Sequence, residues 1–452
     1  MKEERANFGS RLGVILATAG SAVGLGNVWR FPYMTGQNGG AAFIIIYILC
    51  VLLLGIPCMV SEFIIGRHGA SNTARAYRNL AGGTPWKFVG LLSVLTGFLI
   101  TSYYCVVSGW CLQYIYASLV GDLQGSPAEV AQYFNDFSQS PLRPVFWTLA
   151  ILLVTHFVII HGVRGGIEKS SKMFMPTLFI LLIIVVVAAC LLPGAGKGIT
   201  YLLKPDFSAL NKDVFLSALG QAFFSLSIGM GCICTYASYF SRQTNLVNTA
   251  VQTSVIDTAI AVLAGMMIFP AAFSVGINPD SGPSLIFITL PNVFNQAFGS
   301  LPIVGIVVSV LFYALISLAA LTSLISLHEV CTAFMFEELN ISRKAGSAIV
   351  TAALCVLGTI CSLSLGAVDG LQVLGKSIFD LFDFVTGQIF LPLVGLLACL
   401  FIGWYVPRDV VRDEFTNWGT TGVKLFPTFL FLVRFVCPVC IVLIFLHEFG
   451  VL

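Results

Sequence analysis

The sequence predicts an all-α polytopic membrane protein in which two helices break at mid-membrane. Of 452 residues, 57% are apolar and 10% charged, where a soluble domain has about a quarter charged. Apolar runs of about 20 residues recur along the whole chain, the length that the hydrocarbon core demands of a spanning α-helix. Two of those runs are interrupted by glycine, amide and hydroxyl residues, "AGSAVGLGNVWRFP" at 19–32 and "FFSLSIGMG" at 223–231. The net charge of +2 gives no footing for a nucleic-acid partner.

The opening "MKEERANFGSR" is charged, and no small-residue cleavage site precedes the second apolar run, so helix 1 is expected to remain in the mature protein. Eleven helices are placed near 11–35, 40–68, 88–119, 144–161, 169–192, 214–240, 247–273, 302–336, 345–364, 374–403 and 425–447. Segment 284–298, "SLIFITLPNVFNQAF", is too short and polar to span and reads as a helical loop folded over one face. Most of the thirteen cysteines fall inside apolar runs, Cys50, Cys105, Cys355 and Cys399 among them, and read as small buried hydrophobes. Cys437 and Cys440 form "CPVC", a metal or redox spacing in a soluble protein. Here it lies mid-helix with no second ligand pair and reads as packing.

Eleven spans put the termini on opposite sides, and loop charge sets which is which. One set of alternate loops holds sixteen Lys and Arg, the other six. The amino terminus is therefore expected in the cytoplasm and the carboxyl terminus outside the plasma membrane. The sequon Asn340-Ile-Ser342 then lies inside, where glycosylation does not occur.

The interruption in helix 1 comprises Gly20, Gly24, Gly26 and Asn27; that in helix 6 comprises Ser225, Ser227, Gly229 and Gly231. They stand five helices apart, as two inverted five-helix repeats would place them, about 11–192 and 214–403. The eleventh helix, about 425–447, lies outside both repeats of one transmembrane transporter domain spanning 1–452. Glycine costs about 1 kcal/mol in a helix interior. Unwinding frees backbone N–H and C=O groups, which hydrocarbon tolerates only where they line a cavity or are buried in protein. Close helix packing explains one glycine-rich segment; two in register, each with hydroxyl or amide side chains, point to a transporter's binding site. Glu62, Asp257, Thr322, Ser323 and Asp383 also fall within spans, where a polar residue is a functional candidate. Glu62 is equally readable as a structural carboxylate satisfied by backbone.

An enzyme is not expected. "HEVCT" at 328–332 begins like a zinc motif, but Thr332 stands where the second histidine must be, and no G-x-S-x-G or P-loop occurs. A passive channel would want rings of repeated filter residues rather than two unlike broken helices.

The segment "RLGVILATAGSAVGLGNVWRFPYMTGQNGGAAF" resembles the first helix of the neurotransmitter:sodium symporters, the LeuT-type transporters, themselves the type case of the broken-helix site. The likeness continues through "GIPCMVSEFIIGRHG", "GIEKSSKMFMP", "GQAFFSLSIGMGCICTYASY" and "LTSLISLHEVCTAFMFEEL". Eleven spans resemble the shorter bacterial members, which carry hydrophobic and aromatic amino acids. The resemblance implies sodium-coupled symport by alternating access, with two sodium sites and an amino-acid substrate, and no obligate protein partner. The first sodium would take the Ala22 carbonyl, Asn27, Ser225, Asp257 and the substrate carboxylate. The second would take carbonyls of Gly20, Val23 and Ala319 with the hydroxyls of Thr322 and Ser323. All-oxygen sets suit a hard cation.

The resemblance further implies that the substrate carboxylate meets the N–H groups of Leu25 and Gly26 and the Tyr104 hydroxyl, while its amino group meets freed carbonyls and Ser227. Ile100, Tyr104, Phe224, Met230 and Leu327 would line the side-chain pocket. Gly24 stands where monoamine-carrying relatives have aspartate, which fits a substrate bringing its own carboxylate. Met230, a flexible residue, suggests broad selection of large apolar or aromatic amino acids. Asp257 stands at the family's asparagine, and Ala261 where another bacterial subgroup has glutamate, so chloride is not expected. Arg30 and Asp383 would pair as the outer gate with Phe224 as lid; Arg5 and Glu337 would pair inside, near Tyr239. Gly166 and Pro176 would let the start of helix 5 unwind toward the second sodium, and on that reading Gly166→Ala slows sodium release.

Overall fold

The computed structural model describes residues 7–276, 285–299, 301–368 and 370–451. Among these, nine helices are long and apolar enough to cross a membrane: Ala41–Gly69, Lys87–Val120, Arg143–Ile160, Val163–Cys190, Leu246–Ser274, Pro302–Leu339, Arg343–Leu363, Ile378–Tyr405 and Val423–Glu448. A tenth crossing is a bent pair, Arg11–Ala22 and Gly26–Gln37, meeting at 56°. The segment expected as helix 6 is Lys212–Ser225 and Cys232–Ala237, separated by six non-helical residues, and neither piece alone has the length of a span. In chain order these are helices 1 to 11, with helix 1 divided into 1a and 1b and helix 6 into 6a and 6b.

Wide π-type turns recur, and most have one cause. Gly26–Arg30, Val51–Gly55, Leu285–Thr289, Val385–Phe390 and Leu432–Val436 each end two residues before a proline: Pro32, Pro57, Pro291, Pro392 and Pro438. Proline has no N–H to give the ladder and its ring crowds the carbonyl four residues back. A wider turn relieves that crowding without ending the helix.

Helices 3 and 8 pack along much of their length. Lipid tails are as apolar as leucine, so close fit rather than water exclusion holds such pairs. Gly97 of helix 3 shows how close: a Cβ there would lie 2.8 Å from the Met230 carbonyl oxygen of the helix 6 break. Segment 285–297 is helical as expected, and its hydrogen-bonding groups are held by Tyr114 and Tyr313, whose hydroxyls donate to the carbonyls of Phe287 (3.0 Å) and Ile286 (2.8 Å).

Four short helices lie between the expected spans: Thr73–Ala81, Pro127–Ser138, Gly196–Leu203 and Arg408–Thr416. The second begins with a capping box, Ser126 and Glu129 bonding reciprocally. The start of helix 10 also differs: residues 372–377 form a hairpin pairing Gln372 with Ser377 and Val373 with Lys376. Leu374 and Gly375 turn it, both at positive φ (55° and 75°), as a two-residue hairpin requires.

Candidate functional site

Helix 1a ends at Ala22, leaving its last carbonyls outside the helical ladder. Val23 is extended, and the Gly24 N–H donates to Asn27 Oδ1 at 3.0 Å, capping the break. Helix 6a ends at Ser225; Ser227, Gly229 and Gly231 then all adopt positive φ. Gly229 is confined to glycine twice over, since a Cβ would also lie 2.7 Å from the Leu391 carbonyl oxygen of helix 10. Ser227 tolerates its φ of 55° because its hydroxyl donates to the Ser21 carbonyl at 2.8 Å. That bond ties the two breaks together.

The residues expected around the first sodium converge. Asn27 Nδ2 donates to Asp257 Oδ1 at 2.7 Å and to Ser225 Oγ at 3.3 Å. Ser225 Oγ donates to Asp257 Oδ2 at 2.7 Å, and Tyr47, which the sequence reading did not single out, reaches the same oxygen at 3.3 Å. Asp257 is fully buried, and among the described residues no cationic side chain pairs with it. A buried carboxylate held only by neutral donors fits a cation as its missing partner.

The second group also converges. Thr322 Oγ1 donates to the Ala319 carbonyl at 2.9 Å and reaches that of Val23 at 3.5 Å; Ser323 Oγ donates to Val23 at 3.1 Å. A Cβ on Gly20 would lie 3.4 Å from Thr322 Cβ and 3.3 Å from Met175 Sδ of helix 5. All five expected residues therefore share one spot beside helix 5.

Between the two groups, the Leu25 N–H donates to the Tyr104 hydroxyl at 3.2 Å. A Cβ on Gly24 would lie 2.7 Å from Ser323 Oγ and 3.0 Å from the Tyr104 hydroxyl, whereas one on Gly26 meets open space. Ile100 and Leu327 are buried; Tyr104, Phe224 and Met230 are half-buried.

The outer gate differs from expectation. Arg30 and Asp383 form no ion pair within 4.0 Å; the Arg30 guanidinium lies over the Phe224 ring, 4.1 Å from its centre. Asp383 is exposed and lines a cleft of about 650 Å³ with Asp380, Lys376 and Gln388. Arg5 lies outside the described residues. Glu337 accepts from the Asn72 backbone N–H at 2.7 Å, and Tyr239 donates to Glu329 Oε1 at 2.7 Å, beside Arg343.

The end bearing the amino terminus is latched by residues that sequence reading missed. Phe8 sits among Tyr236, Tyr239 and Phe240, with ring centres 5.9, 6.3 and 6.2 Å away. Glu168 of helix 5 accepts from the Gly9 N–H (2.6 Å), Ser10 Oγ (2.8 Å) and Lys172 Nζ (2.6 Å). The Asn-Phe-Gly-Ser stretch carries no signature of its own; only the fold shows its docking. Gly166 also behaves otherwise than expected. Residues 163–168 are wound as a π-type turn, and a Cβ on Gly166 would lie 2.0 Å from the Val158 carbonyl oxygen of helix 4. The side chain that was expected to stiffen the turn instead opposes its packed form.

Glu62 accepts from the Gly229 N–H at 2.6 Å, serving as a backbone cap for the helix 6 break.

The model of the sodium:neurotransmitter symporter family matches residues 5–136 and 138–451. The chain belongs to that family. Its members are sodium-coupled transporters rather than enzymes, which makes this a multi-pass membrane transporter with sodium-dependent relatives. The uncharacterized sodium-dependent transporter YhdH of Bacillus subtilis is 37% identical, with 100% of both chains covered. An uncharacterized sodium-dependent transporter of Haemophilus influenzae is 36% identical, over 99% of this chain and 98% of its own. The crystal structure of MhsT in complex with L-phenylalanine matches with a TM-score of 0.87 and 40% identity, covering 98% of this chain and 100% of MhsT. The fold is thus shared with a solved structure over nearly the whole chain.

Proposed function

We propose that the chain carries large apolar or aromatic amino acids into the cell, driven by sodium and without chloride. The observation that carries this reading is the convergence of Asn27, Ser225 and Asp257 at the two breaks. A fixed carboxylate there supplies the negative charge that would otherwise have to come from an anion. MhsT, which binds L-phenylalanine, supports an amino-acid substrate. The half-buried Tyr104, Phe224 and Met230 support a large one.

Two sodium ions are bound as co-substrates. One takes Ala22, Asn27, Ser225 and Asp257; the other Gly20, Val23, Ala319, Thr322 and Ser323. Asn27 couples sodium to substrate. Its amide oxygen now caps the Gly24 N–H; turning it onto the ion frees that N–H, beside those of Leu25 and Gly26, for the substrate carboxylate. Ser227 and freed carbonyls receive the amino group. On this reading the cleft at Asp383 faces outside and the Phe8 contacts face the cytoplasm. Ligand binding draws Arg30 from Phe224 toward Asp383, and unlatching of Arg5, Glu337 and Phe8 opens the inside. The two states are populated according to each ligand's differential affinity.

Binding of labelled tryptophan to purified protein in sodium, compared with choline, tests this. Sodium-dependent binding that persists in gluconate is expected. Equal binding in choline overturns the coupling, and loss in gluconate overturns chloride independence.

A further inference from the structure

Cys437 lacks a local partner in "CPVC", but the fold supplies two from elsewhere. Cys58 of helix 2, Cys399 of helix 10 and Cys437 of helix 11 place their three sulfurs within 4.8 Å of one another. Cys58 and Cys399 stand 3.4 Å apart, and all three residues are at most 1% exposed. The second cysteine of the motif, Cys440, is not part of the group. Among the described residues this is the one cluster of metal-ligating side chains of this kind, and it shares no residue with either proposed sodium group.

The donor set selects its ligand. A metal about 2.3 Å from three sulfurs in one plane holds them about 4 Å apart, which this cluster allows with little movement. Zinc in a closed site wants four ligands, and thiolates favour soft ions such as Cu(I). Cysteine binds a metal as the thiolate, so binding releases one proton to solvent from each sulfur that ligates the ion, with no change in oxidation state.

The location gives occupancy a consequence. Cys58 lies one helical turn before Glu62, which holds the Gly229 N–H of the helix 6 break. Cys399 lies on the same helix as Leu391, whose carbonyl oxygen abuts Gly229 from the other side. We infer that the Cys58–Cys399–Cys437 cluster is a binding site for a soft monovalent cation of the Cu(I) class, and that its occupancy clamps helices 2, 10 and 11 beside the helix 6 break and inhibits transport.

The test titrates reduced, anaerobic full-length protein with Cu(I) in competition with bathocuproine disulfonate. The expected result is one Cu(I) per chain, absent from the triple variant Cys58→Ala/Cys399→Ala/Cys437→Ala and weakened at least tenfold in Cys399→Ser. The single variant serves if the triple one fails to fold, which sodium-dependent melting shows. No Cu(I) taken by wild type, or equal uptake by the variants, overturns the site. Copper should slow wild-type transport and spare the variants; equal inhibition of both, or none in loaded wild type, overturns the clamp.

Discussion

Asn27, at the break of helix 1, donates to Asp257 of helix 7 across 2.7 Å, joining residues 230 positions apart. Asp257 also receives Ser225 from the other broken helix, so one buried carboxylate reads the state of both breaks. Removing its charge should be costly. A hydrogen bond to a charged group contributes about 1.5–3 kcal/mol, equivalent to roughly ten- to hundredfold in affinity. Asp257→Asn should raise the sodium concentration for half-maximal tryptophan binding by at least tenfold, and added chloride should partly restore it. An unchanged sodium dependence would remove Asp257 from the site.

Position 24 has room for glycine alone while Ser323 and Tyr104 stay put. Gly24→Ala must displace both hydroxyls, so tryptophan affinity should fall about tenfold, the equivalent of roughly 1.4 kcal/mol. Gly26→Ala, which meets open space, should perturb the fold little. Binding isotherms of the two variants, with melting temperatures as folding controls, check this.

Gly166→Ala should favour the unwound start of helix 5, because the added methyl meets the Val158 carbonyl at 2.0 Å in the wound form. Overpacking costs about 1–3 kcal/mol. Hydrogen exchange over residues 163–176 should accelerate by about five- to hundredfold on that basis, and sodium release should quicken. Slower exchange would restore the opposite sign.

Phe8→Ala should loosen the inner latch, since Phe8 loses three aromatic neighbours. Labelling of a cysteine introduced at Tyr239 from the latched side should speed up several-fold in the Phe8→Ala background. No change would show that the ring cluster does not hold the latch.

A second clamp joins helix 2 to the 408–416 helix. Arg67 Nε donates to Glu414 Oε2 at 2.5 Å, and His68 Nδ1 lies 3.2 Å from Oε1. Burial pushes the Glu414 carboxyl up, but the His68 hydrogen bond and the Arg67 guanidinium outweigh it and hold it below the usual 4.5. A depressed folded-state value means the stabilisation is present above that ordinary value and is lost as pH falls through the lower one. Glu414→Gln should therefore lower the melting temperature at pH 7, and its gap to wild type should narrow below about pH 4. A gap constant down to pH 3 would contradict the clamp.

The sequence disclosed the breaks because glycine, amide and hydroxyl residues at mid-membrane have few other uses. It pointed to the two proposed sodium groups because Asn27, Ser225, Asp257, Thr322 and Ser323 stand in motifs that resemble the family's. Other features depend on distance between elements and left no local trace. Phe8 is one apolar residue in a polar leader until helix 6 surrounds it. Gly166 looks like a flexible joint until Val158 is seen against it. Cys437 looks like filler until Cys58 and Cys399 arrive from helices 2 and 10. The wide turns were legible in principle, since prolines mark five of them.

The most direct test of coupled transport is uptake of labelled tryptophan, tyrosine, leucine and alanine into proteoliposomes with an inward sodium gradient, in gluconate. Accumulation of the larger substrates above equilibrium, abolished when the gradient is collapsed, is the predicted result. Equal uptake with and without the gradient would contradict sodium coupling, and accumulation of alanine alone would contradict the large-substrate pocket.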